Sequence, residues 1–94
     1  MENKIEKKEI KIAGYHVTQL SSNTFEANNP QESLDFYFEV GDEVEVFVFD
    51  STIPTKSGQD PTLAVWYADS LEEAVKECMT FTKKTLKGYE WFKR

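Results

Sequence analysis

The sequence has little of what enzymes are usually built from. Of its 94 residues, one is cysteine, one is histidine and four are glycine. A lone thiol, Cys78, closes no internal disulfide. Small secreted domains are usually stapled, so a reducing cytoplasm is the expected location. The glycines stand at positions 14, 41, 58 and 88, which leaves no G-x-G-x-x-G fingerprint, no P-loop and no nucleophile elbow. There is no H-E-x-x-H pair, and Asp42, Glu43 and Glu45 lack the spacing of a calcium loop. No apolar run approaches the roughly 20 residues that span a bilayer. The charged opening segment, Met1 to Lys11, reads as neither signal peptide nor anchor. No metal, cofactor, membrane or catalytic activity is expected.

Positive charge is also scarce. Eleven Lys and Arg face 17 Asp and Glu, a formal net charge of −6. The imbalance is local: no Lys or Arg lies between Lys11 and Lys56, while Glu26, Glu32, Asp35, Glu39, Asp42, Glu43, Glu45 and Asp50 all fall in that interval. The two ends of the chain nearly cancel. Affinity for phosphates comes from clustered cations, so nucleic acid is not the expected main partner.

What the chain does have is the makings of a core. It is 39% hydrophobic and 14% aromatic, which disordered chains are not. Its length suits one small domain, residues 1–94, with 1–8 expected to be flexible. The clearest signal is alternation. Leu34, Phe36, Phe38 and Val40 interleave with Asp35, Tyr37 and Glu39, and Val44, Val46 and Val48 interleave with Glu45, Phe47 and Phe49. Gly41-Asp42-Glu43 makes the turn of a β-hairpin. Pairing Val40 with Val44, Phe38 with Val46 and Phe36 with Val48 gives one wholly apolar face. The other face then pairs Glu39 with Glu45, Tyr37 with Phe47 and Asp35 with Phe49. A slip of one residue would mix the two sets, so the register is well specified.

Upstream, Glu9 to Leu20 reads as one strand with a bulge at Ala13-Gly14, since Ile10 and Ile12 differ in parity from Tyr15 and Val17. After the turn Ser21-Ser22-Asn23, Thr24 to Ala27 reads as a short return strand. The stretch 51–61 is a polar loop, either a recognition loop or a plain connection. Thr62 to Ala68 is a strand with Leu63, Val65 and Tyr67 on one side. Ser70-Leu71-Glu72-Glu73 has the form of a capping box. Leu71, Ala74, Val75, Cys78, Phe81, Thr82 and Leu86 then form a helical stripe, with Lys83, Lys84 and Lys87 near its end and Gly88 as its stop. The tail Tyr89 to Arg94 either closes the core as a further strand or docks a partner. The expected fold is α+β: an antiparallel sheet of four to six strands with one C-terminal helix across a face, ordered ββ-ββ-β-α.

Few residues point to chemistry. His16 would face away from Tyr15 and Val17. Without a partner motif it reads as an ordinary strand residue rather than a base or ligand. Cys78 sits in the helical stripe and reads as a small buried hydrophobe rather than a nucleophile. The hairpin carboxylates are expected on a convex surface, which suits acid–base work poorly. The string Trp66-Tyr67-Ala68-Asp69-Ser70-Leu71-Glu72-Glu73-Ala74 resembles the strand-to-helix junction of HicB-type antitoxins. That likeness implies a partial RNase H fold and an antitoxin role. It departs from the family in its longer preceding segments and in lacking the family's Pro-Gly turn.

Three functional readings follow. The first is a non-catalytic module of inhibitor, antitoxin or regulator type, of the kind phage and mobile elements carry. Asp35, Tyr37, Glu39, Glu45, Phe47 and Phe49 would bind a basic protein surface, in the extreme as a nucleic-acid mimic. The second is binding of a single nucleic-acid strand or nucleotide, with sheet aromatics stacking bases and Lys56, Lys84, Lys87, Trp91, Lys93 and Arg94 supplying charge and a ring. The third is a homodimer or other structural assembly through an uncovered strand face or edge.

Overall fold

A computed structural model describes residues 7–53 and 62–82. The elements are β1 (Lys8–Ile12), β2 (Tyr15–Gln19), β3 (Thr24–Asn29), β4 (Leu34–Val40), β5 (Val44–Asp50), β6 (Thr62–Ala68) and α1 (Leu71–Thr80). The strands form one six-stranded sheet whose spatial order is their chain order, with every neighbouring pair antiparallel. The helix packs on one face and touches all six strands. The fold is therefore α+β, as the alternation and the capping box predict. No helix among the described residues is long and apolar enough to cross a membrane.

The β4–β5 hairpin has the register its side chains dictate. Val40 faces Val44, Phe38 faces Val46 and Phe36 faces Val48. A register shifted by one residue would carry apolar groups into water, at about 25 cal/mol for each Å² of apolar surface. Leu34, Phe36, Phe38, Val46 and Val48 are fully buried. Val17, Phe25 and Ala27 extend the core across β2 and β3, and Ala74, Val75, Cys78 and Phe81 close it from above.

Three expectations need correction. The segment Glu9 to Leu20 is two strands. Ala13 and Gly14 are the two central residues of a hairpin turn, with φ of 56° and 86°. Positive φ at both positions suits a two-residue turn of the I′ type, whose twist matches that of the strands it joins. This turn, like a bulge, keeps Ile10, Ile12, Tyr15 and Val17 on one face: Ile12 lies opposite Tyr15 and Ile10 opposite Val17. Strand β1 begins at Lys8.

Second, Leu63 does not share a side with Val65 and Tyr67. Val48 pairs with Ala64 while Phe49 pairs with Thr62, so Leu63 is the extra residue of a bulge and is buried. Third, the helix ends at Thr80, short of Lys83, Lys84 and Lys87, and has no basic residue in its last turn. Phe81 leaves the helix with ψ of 146°, and its N–H donates to the Cys78 carbonyl. Its ring then meets Trp66 edge to face, at 5.4 Å and 74°. Residues 83–94, with the expected Gly88 stop and terminal strand, lie outside the described residues. The start of the helix is as expected, since the Ser70 hydroxyl accepts from the Glu73 N–H at 3.1 Å.

Candidate functional site

With α1 on one side, the other side of the sheet is the outer face. Strand parity puts Glu9, Lys11, His16, Thr18, Glu26, Asn28, Asp35, Tyr37, Glu39, Glu45, Phe47, Phe49, Val65 and Tyr67 there. Its charge is lopsided, because among these described strand residues Lys11 is the one ammonium against five carboxylates. The six residues expected to bind a partner all lie on this face, paired as Asp35 with Phe49, Tyr37 with Phe47 and Glu39 with Glu45. Their aromatic rings form a row. Phe47 stands between the other two, tilted by 59° to Tyr37 at 5.6 Å and stacked on Phe49 at 6.4 Å. All three rings are half-buried.

Two shallow depressions flank the row. The larger, of about 820 Å³, takes residues from all six strands, including Glu9, His16, Glu26, Asp35, Tyr37 and Phe49. Its far wall is the segment after β5. There the Asp50 carboxylate accepts from the Thr52 N–H at 2.9 Å and from its hydroxyl at 2.6 Å. The Ser51 N–H is tied to the Ser33 carbonyl. On its other side are Glu9, His16, Thr18, Glu26 and Asn28, where β2 and β3 pair at only two positions, Thr18 with Glu26 and Gln19 with Phe25. Beyond them β2 is no longer paired with β3. Burial in this depression pushes the Asp35 carboxyl above its ordinary 3.8, since a charge taken from water favours its neutral form.

The smaller depression, of about 380 Å³, lies at the hairpin tip between Glu39, Asp42, Glu43, Glu45 and Tyr67. Tyr67 is 60% exposed, and its hydroxyl donates to Glu45 at 3.4 Å. The Glu45 charge, followed by slight desolvation, the hydrogen bond itself and Glu43, holds its phenol above the usual 10.0. No three His, Cys, Asp or Glu side chains among the described residues are grouped to hold a metal ion. Cys78 is on the opposite side, fully buried, and that burial together with Glu77 pushes its thiol far up.

Sequence reasoning missed the β1–β3 contribution to this face. The signal was present in part: Glu26 and Asn28 alternate with the buried Phe25 and Ala27. Nothing in the sequence marks where β2 parts from β3. Of the alternative set, Lys56, Lys84, Lys87, Trp91, Lys93 and Arg94 all lie outside the described residues, as does most of the 51–61 loop. Comparison of the chain with protein-family models, with curated proteins and with solved structures finds no match.

Proposed function

We propose that the outer face is a docking surface for a basic protein segment, and that the protein is a non-catalytic interaction module of inhibitor, antitoxin or regulator type. The observation that carries this reading is the half-buried aromatic row with carboxylates at both ends and, among the described residues, no cation between them. Asp35 stands beside Phe49 at one end, and Glu39 faces Glu45 at the other. Like charges directly across a strand pair repel, so the domain bears a cost here that a bound cation removes. An arginine suits both parts of the surface, because its guanidinium stacks on a ring while its fork donates to a carboxylate. Each such cation–ring contact contributes about 0.5–2 kcal/mol, depending on how far it is desolvated. The same carboxylates repel a phosphate backbone, so a basic protein is favoured over nucleic acid.

The test compares the wild-type domain with the Asp35→Lys, Glu39→Lys, Glu45→Lys triple variant as bait, after circular dichroism shows both folded. Support is a basic protein that the wild type retains, that rising salt releases, and that cross-links to residues flanking Tyr37 and Phe47. The triple variant must lose it. Identical retention by both baits would overturn the proposal.

A further inference from the structure

Strand β1 forms one edge of the sheet, and β2 is its only partner among the described residues. The two-residue turn closes on the pair Ile12 and Tyr15. In such a hairpin the closing pair exchanges both of its hydrogen bonds, and bonded and non-bonded pairs then alternate along the strands. Lys8, Ile10 and Ile12 therefore bond inward to β2. The backbone N–H and C=O of Glu9 and Lys11 point outward from the sheet. These four groups form a short open ladder.

Lysines on an edge usually deter indiscriminate pairing. Here the charges leave one self-pairing allowed. Outward residues must face outward residues, so a second copy approaching antiparallel has three registers available. Two of them are centred on Glu9 facing Glu9 or on Lys11 facing Lys11, which sets like charges opposite each other. The third, centred on Ile10, sets each Glu9 against the Lys11 of the other copy and lays Ile10 on Ile10 on the helix side. Ile10 is partly buried against the core, so this contact extends an existing apolar surface.

We propose that two copies of the chain pair through β1 in this third register. The assembly is isologous, with its two-fold axis normal to the sheet at Ile10. It makes one twelve-stranded sheet with both helices on one side and both outer faces on the other. This pairing depends only on the edge and its charges, whatever the outer face binds.

The experiment is light scattering after size exclusion, with sedimentation equilibrium, across micromolar to millimolar protein at low salt. The wild type is expected to move with concentration from its monomer mass of 10.9 kDa to twice that value. Glu9→Lys and Lys11→Glu each turn two matched pairs into two like pairs, and each is expected to weaken the dimer by roughly tenfold to a hundredfold. The double charge swap, Glu9→Lys with Lys11→Glu, is expected to restore it. Amide exchange gives a second readout: in the wild type the Glu9 and Lys11 N–H groups gain protection as concentration rises. A wild type that stays monomeric throughout, single variants that dimerise like it, or a swap that fails to restore association would each overturn the proposal.

Discussion

The turn at Ala13-Gly14 gives a sharp test of how the chain folds. Ala13 holds φ of 56°, where its Cβ crowds the following carbonyl, a conformation that costs an L-residue roughly 1–2 kcal/mol. Asparagine tolerates this region because its short polar side chain bonds locally, and Asn-Gly is a preferred pair for this turn. Ala13→Asn is therefore expected to stabilise the domain by about 0.5–1 kcal/mol. Gly14, at φ of 86°, is the converse case. A Cβ built on it meets nothing within 4 Å, so Gly14→Ala introduces backbone strain without a clash. The strain is offset in part by the stiffer unfolded chain, leaving a net loss of about 1 kcal/mol. For a domain of this size 1 kcal/mol moves the melting temperature by roughly 4–8 °C. Calorimetry of the wild type and both variants should thus give the order Ala13→Asn, wild type, Gly14→Ala. A neutral Gly14→Ala, or a destabilising Ala13→Asn, would mean that residues 13 and 14 do not make this turn and that β1 and β2 are not a hairpin.

The two faces of β4 and β5 should differ steeply in cost. Phe38→Ala empties a fully buried site and is expected to cost about 3–5 kcal/mol, a large share of the roughly 5–14 kcal/mol typical of such a domain. Phe47→Ala on the outer face should cost clearly less, and urea denaturation showing equal losses would refute the assignment of faces. Asp35 links stability to pH. Its folded carboxyl titrates above the ordinary 3.8, so its contribution is greatest in acid, falls as pH rises through that raised value, and is level beyond it. The stability of Asp35→Asn relative to wild type should therefore increase with pH across that window, and urea titrations at stepped pH showing no trend would refute it. Glu45→Gln should bring the Tyr67 phenol back toward 10.0, read as an earlier rise in tyrosinate absorbance on alkaline titration. An unchanged titration would show that Glu45 does not set it.

How legible each part of this fold is depends on how local its cause is. The β4–β5 hairpin is readable because alternation over seven residues on each side of one short turn admits a single register. The β1–β2 reversal is harder to see, because Ala-Gly is not a typical hairpin pair and a bulge gives the same parity to Ile10, Ile12, Tyr15 and Val17. The end of α1 is set by tertiary contact. The stripe runs on through Phe81 and Thr82, yet Phe81 turns out of the helix to meet Trp66. Of the candidate site, the pairing of Asp35, Tyr37, Glu39, Glu45, Phe47 and Phe49 follows from the hairpin alone. The larger depression does not, because it arises where β2 parts from β3, and no residue type marks that point.

Among the described elements the strands are laid down in chain order and α1 follows them, so synthesis on the ribosome makes β1 to β6 before their cover exists. Until residues 71–80 leave the exit tunnel, Leu34, Phe36, Phe38, Val46 and Val48 form a complete greasy platform with nothing seated on it. The ten residues of the late-arriving helix, with Phe81 just after them, therefore separate a covered core from a sticky intermediate. Translation that stops anywhere before Ser70 leaves a product suited to chaperones and proteases rather than to independent life.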